Sequence, residues 1–326
     1  MPETRATTDF NAAIRTARDP EIPAGERAEM LMEIALGLQR KPREPADLEY
    51  AEQLYKEALQ VCPNEDRLLY GRLLAGLGTA LMAMPGGNES LQRAQECFQS
   101  AEPILQDLAM REEVAELEMN IGLVLQGLAV EGRARFADAV RRYHSALRVF
   151  AAESYPREFA IIQNNLATAY LSMTMGEEAG KMREALAMQA YEAALKVLLL
   201  DEHPIEYAML QNNLGNALQY ASSAHPEENN LRALQCYEEA LKVRTRADRP
   251  LEYANTISNL ANVLSNLPDD PEHPELGQAA NLDRARRLYA EAEALFREHG
   301  EQEKARLIAE ALKELDESFL GVDRVH

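Results

Sequence analysis

The stretch PIEYAMLQNNLGNAL, residues 204–218, decides how this chain folds, because it returns twice in nearly the same letters. PREFAIIQNNLATAY fills residues 156–170, and PLEYANTISNLANVL fills residues 250–264. Each copy is followed by a second pattern: an Ala, an aromatic four residues on, and a further Ala three residues later. The instances are Ala187-Tyr191-Ala194, Ala233-Tyr237-Ala240 and Ala285-Tyr289-Ala292. Working backwards, the pattern recurs at Ala139-Tyr143-Ala146, Ala94-Phe98-Ala101 and Ala51-Tyr55-Ala58, with a seventh copy at Ala6-Phe10-Ala13. The aromatics from Tyr55 to Tyr289 follow one another at steps of 43, 45, 48, 46 and 52 residues. Fainter early copies of the first pattern stand at Ile34-Ala35, Leu77-Gly78 and Ile121-Gly122. A fixed period of this size is the mark of a repeat array, in which each unit packs only on its neighbours.

Helix packing explains the pattern. Residues three and four apart share one face of a helix, so Ala, aromatic and Ala form one stripe. The small residues let helix axes approach towards about 8 Å, and the ring between them fills the space where adjacent hairpins meet. In the first helix, a Gly or Ala after an apolar residue lets the partner helix nest. The intervening Glu, Lys, Gln, Arg and Leu are good helix formers, and no period-two alternation competes.

A Leu-Gly/Ala pair in helix A with Ala, Phe/Tyr and Ala in helix B resembles the tetratricopeptide repeat (TPR) family. The period is longer than that family's usual one. With Asn-Asn-Leu in helix A, the units look more like the elongated repeats of kinesin light chains and of bacterial arrays joined to CHAT protease domains. The repeats leave no stretch of this sequence for such a protease domain. The resemblance implies an all-α, right-handed α-solenoid over residues 1–300. Its hairpins would lie at about 24–63, 66–105, 110–152, 156–200, 204–246 and 250–299, followed by a capping helix, 301–320, and a tail, 321–326.

Pro and Gly density predicts loops at 171–184, 220–230 and 265–281. Pro63, Pro156, Pro204 and Pro250 stand where first-turn or pre-helix prolines belong, and Gly300 is placed to end a helix.

The formal net charge is −20, from 54 acidic and 34 basic residues. Such a surface repels phosphate backbones and anionic membranes, so neither nucleic acid nor membrane is the expected partner. Cys62, Cys97 and Cys236 form no CxxC pair, which argues against a disulfide framework or zinc knuckle and for a reducing, cytoplasmic setting. Residues 1–19 lack an apolar signal core. No run reaches the roughly 18 apolar residues that span a bilayer.

Catalytic signals are weak, and no enzyme, metal or cofactor is expected. His144, His203, His225, His273, His299 and His326 never fall at ligand spacing, and three of them precede Pro. There is no GxxxxGK[ST], GxGxxG or GxSxG. Cys97 and Cys236 directly precede repeat aromatics and read as packing residues.

Asparagine stands out instead. Asn120, Asn165, Asn213 and Asn259 hold one helix A position, with Asn164, Asn212 and Ser258 just before the last three. Thr168, Asn216 and Asn262 follow one turn later, and Asn255 lies one turn earlier. Asn is a mediocre helix former, so its repetition needs an offsetting role. Either the amides bond between hairpins and fix their rotation, or they line a groove and pair with the backbone of an extended peptide. The resemblance implies a groove lined by helix A. These ten residues, Asn120, Asn164, Asn165, Thr168, Asn212, Asn213, Asn216, Asn255, Asn259 and Asn262, are therefore the candidate partner-binding set. The early hairpins offer Met32, Leu36, Met119 and Leu123 instead, and Arg72 is the main basic side chain at a groove-type position. The expected function is a scaffold that binds another protein or peptide, basic or neutral rather than acidic. The alternative is an assembly subunit that self-associates as a homo-oligomer or props a multi-subunit complex.

Overall fold

The computed structural model describes residues 12–42, 44–85, 87–173, 177–222, 225–268 and 278–322. Among these residues the regular structure is helical throughout. A short α1 (residues 12–17) leads into α2 (Ala24–Arg40), α3 (Pro45–Val61), α4 (Arg67–Ala83), α5 (Gly87–Leu108), α6 (Arg111–Val130) and α7 (Phe136–Ala146). These are followed by α8 (Pro156–Ser172), α9 (Glu177–Leu195), α10 (Pro204–Gln219), α11 (Pro226–Leu241), α12 (Pro250–Ser265), α13 (Gln278–Glu298) and α14 (Gln302–Val322). From α2 to α13 the helices pack in consecutive pairs, and α14 lies on α13. The chain is an all-α helical-repeat array. It forms two compact units, Met1–Ala151 and Ala152–His326. The seventh motif copy, around Phe10, lies outside the described residues.

The repeat residues make the core in both units. Tyr55, Phe98 and Tyr143 in the first unit, and Tyr191, Tyr237 and Tyr289 in the second, are all buried, and so are the two Ala that flank each ring. In three hairpins the ring presses on a glycine of its own helix A. A Cβ added at Gly78, Gly122 or Gly215 would meet the ring of Phe98, Tyr143 or Tyr237 at 2.5, 2.5 or 2.7 Å. Tyr55 also reaches forward to Gly76 of the next hairpin, so one ring packs two adjacent hairpins.

The hydroxyls of these rings are anchored. Tyr55 bonds Gln39 at 3.2 Å, Tyr143 bonds Gln126 at 2.8 Å, and Tyr237 lies 3.0 Å from Gln219. Each Gln stands four residues after the small residue of helix A. Where the ring is Phe98, which has no hydroxyl, that position holds Met82. A buried hydroxyl needs a partner and a phenyl ring does not; beside Tyr191 and Tyr289 the same position holds Leu171 and Ser265, and the Tyr191 hydroxyl lies against Thr168 instead.

Pro156, Pro204, Pro226 and Pro250 sit at the first turns of α8, α10, α11 and α12, where the missing N–H costs nothing. The connections inside the later hairpins are shorter than the prolines and glycines predict. Residues 177–184 belong to α9, 226–230 to α11, and 278–281 to α13. Pro226 starts its helix rather than extending a loop, and Gly180 is accommodated within α9. The Pro271 and Pro274 stretch, residues 269–277, lies outside the described residues. Gly300, at φ +78°, ends α13. The capping helix runs to Val322, two residues into the expected tail. Its stripe of Ile308, Ala311, Leu312 and Leu315 packs on the core of the second unit, at the three- and four-residue spacing of one helical face.

Candidate functional site

In the second unit the first helices of the hairpins are α8, α10 and α12, and α10 touches α12 directly. The Asn positions of all three helices meet along these first helices. Asn213 Nδ2 donates to Asn164 Oδ1 at 2.9 Å, and Asn259 Nδ2 donates to Asn212 Oδ1 at 3.4 Å. In both cases the second Asn of one hairpin reaches back to the first Asn of the hairpin before. Within α8, Asn164 Nδ2 also donates to Asn165 Oδ1 at 3.3 Å.

The row has a defined end. Asn212 is buried, and its Oδ1 also lies 3.2 Å from Thr256 Oγ1, which receives a hydrogen bond from Arg244 Nη1 at 2.9 Å. Burial pulls that guanidinium below the usual arginine range. Ser258, which replaces the first Asn in α12, turns back to the Asn255 carbonyl at 2.8 Å. Offset of the helix-propensity cost is thereby accounted for: the amides tie successive hairpins together. Asn165, Asn213 and Asn259 are nevertheless half-buried. Each has one end of its amide in the row and no hydrogen bond on the other end among the described residues.

The remaining candidates are more dispersed. Asn216 Oδ1 lies 2.7 Å from the Tyr237 hydroxyl, and Thr168 Oγ1 lies 3.3 Å from the Tyr191 hydroxyl, so both brace the ring of their own hairpin. Burial pushes the Tyr237 phenol far above its ordinary value, which keeps it protonated. Asn262 donates to the Tyr220 hydroxyl at 3.1 Å, while Asn255 caps the Leu251 carbonyl of its own helix at 2.9 Å. Asn120 is on α6, in the first unit. Met32, Leu36, Met119 and Leu123 are half-buried in the first unit.

Two features escaped the repeat pattern. One is a cleft of about 320 Å³ beside Asn216, lined by Tyr170, Leu171, Arg183, Glu184 and the strongly exposed Tyr220. Arg183 Nη1 donates to the Tyr170 carbonyl at 2.9 Å and also to that of Met173, and Glu184 accepts from the Ser222 amide at 2.7 Å. The other is a brace within hairpins. Tyr207 bonds Glu239 at 3.1 Å and Tyr253 bonds Glu291 at 3.4 Å, whereas the corresponding pair in the preceding hairpin is Phe159 and Ala193. The matched change of both members was the available signal.

In the first unit Arg72 does not offer a free cation. Its guanidinium holds both oxygens of Glu113 at 2.8 Å, and that hydrogen bonding keeps the Glu113 carboxyl below its usual range. Among the described residues no cluster of three metal-ligating side chains occurs, and no helix is long and apolar enough to cross a membrane.

No protein-family model matches the chain, and no curated protein matches it in sequence. Solved structures do match. BtubC (BKLC) from P. vanneervenii aligns with a TM-score of 0.55 at 21% identity, over 74% of this chain and 92% of its own. A Signal Transduction ATPase with Numerous Domains protein from Pyrococcus horikoshii, which has a tetratricopeptide repeat sensor, aligns with a TM-score of 0.58 at 18% identity. The repeat fold is tetratricopeptide-like. The second alignment takes in 92% of this chain but only 42% of the ATPase. At these identities the likeness is one of fold. For the tetratricopeptide-like array here, the identity of a site rests on its own side chains.

Proposed function

We propose that this protein is an interaction scaffold whose second unit binds an extended segment of a partner protein along the inner face of α8, α10 and α12. The observation that carries this reading is the half-buried row of Asn165, Asn213 and Asn259, each with an amide end free for a ligand. A carboxamide offers a donor and an acceptor, so such a row pairs with a peptide backbone without demanding a sequence. The net charge of −20 favours a basic or neutral segment by long-range steering. The pairing of Arg72 with Glu113 disfavours an acidic tail. The reading assigns no chemical reaction to the chain.

The test is capture from a native lysate by wild type beside a variant with Asn165, Asn213 and Asn259 all changed to Ser. Both proteins are first matched for helicity and for unfolding midpoint. Capture of a partner by wild type and its loss in the folded variant supports the amide row as the site. Equal capture by both rejects it and moves the partner to another surface.

A further inference from the structure

A second cleft, of about 380 Å³, lies where the last hairpin meets the capping helix. Its apolar walls come from Leu282 on α13 and from Ala311 and Leu315 on α14, and Asn262 and Gln278 add amide groups. Ser265, Tyr289 and one carboxylate, that of Glu314, complete the lining, and among the described residues no basic side chain contributes to it. Ala311, Glu314 and Leu315 share a helical face by their spacing, so the helix that seals the array also carries the charge into the cleft.

Ion pairing sets Glu314 apart. Glu303 and Glu310 pair with Arg306, Asp316 pairs with Arg286, and Glu317 pairs with Lys313. Glu314 is the one carboxylate among the described side chains of α14 without such a partner. Its electrostatic neighbour Tyr289 is held protonated, pushed up to about 12 by burial first, with the Glu314 carboxylate adding to it. The cleft thus presents one negative charge, neutral hydrogen-bonding groups and apolar walls.

We infer that this cleft receives the side chain of an arginine or lysine from the bound partner segment. The occupant follows from complementarity. A long basic side chain lays its methylene stem on apolar walls while its head reaches a carboxylate. The surplus of acidic residues on the whole chain works in the same direction. Asn262 belongs both to the inner-face residues and to this cleft, so a segment lying along α8, α10 and α12 towards α14 arrives at it. The inference rests on the scaffold reading above and adds to it a basic residue at the end of the segment nearest α14.

The pocket is testable without the partner. Full-length protein is titrated with N-acetyl-arginine methylamide and N-acetyl-lysine methylamide, with the leucine and glutamate analogues as controls. The methyl resonances of Leu282, Ala311 and Leu315 are followed by NMR. Saturable shifts are expected from one or both basic analogues and not from the controls, weakened about tenfold in Glu314→Gln and reduced by added salt. The arginine and lysine arms decide which head group fits better. Shifts of equal size from the leucine analogue, retention in Glu314→Gln, or no saturable shift from either basic analogue would each overturn the pocket. Overturn of the pocket with partner capture intact leaves the scaffold standing. Loss of the scaffold claim, with the pocket still binding, shows as capture that is indifferent to the Asn substitutions.

Discussion

At the scale of single residues, the account depends on close fits that the repeat pattern foretells only in part. The small residue after each helix A anchor was readable because its neighbours demand it, and the structure shows why Gly is needed at Gly122 and Gly215. Gly215→Ala gains up to about 1 kcal/mol of helix propensity but drives a methyl into the Tyr237 ring. A net loss of about 1–2 kcal/mol is expected from urea unfolding. Tyr237→Ala empties the same space and should cost about 3–5 kcal/mol. The glutamines four residues on, Gln39, Gln126 and Gln219, were not readable in advance, since Gln is a good former of any exposed helical turn. Their role emerges only when the hydroxyl above them is placed. The asparagines were readable as an anomaly but not as a geometry: one turn of sequence cannot say which neighbour an amide will face. A double-mutant cycle on Asn164 and Asn213, each changed to Ala, should give a coupling of about 0.5–1.5 kcal/mol across the two hairpins. Additivity of the two changes would remove the inter-hairpin bond from the account.

At the scale of elements, helix starts were easier to read than connections. Pro at the first turn marks α8, α10 and α12 in the sequence and in the structure alike. Proline and glycine counts overstated the connections because Pro226 opens α11 and Gly180 is tolerated inside α9. The end of α13 is set by Gly300 at φ +78°, a left-handed backbone that costs an L-residue about 1–2 kcal/mol. Gly300→Ala should lower stability by that amount and loosen α14 first. Hydrogen exchange should therefore rise in α14 before it rises in α12, and uniform protection in the variant would contradict this order.

At the scale of the molecule, charge governs both stability and encounter. The formal charge of −20 opposes compaction, and exposed pairs such as Arg232–Glu192 and Arg284–Glu238 offset little of it individually. Glu113 gives a defined pH signature, because the Arg72 hydrogen bonds depress its folded-state value below the ordinary 4.5. Its contribution is present above that ordinary value and is lost as pH falls through the depressed one. The stability difference between wild type and Glu113→Gln should therefore shrink on acidification below about pH 4.5. A difference that stays constant through that window would show the pair to be energetically idle.

The central claim, that partners lie on the inner face of α8, α10 and α12, is tested most directly by site-specific photo-crosslinking. One probe replaces Met209, two turns of α10 from Asn216 on the same stripe, and a control probe replaces the exposed Gln235 on α11. The account predicts partner adducts from position 209 and none from position 235. Adducts confined to position 235 would place the partner on the outer helices and contradict it.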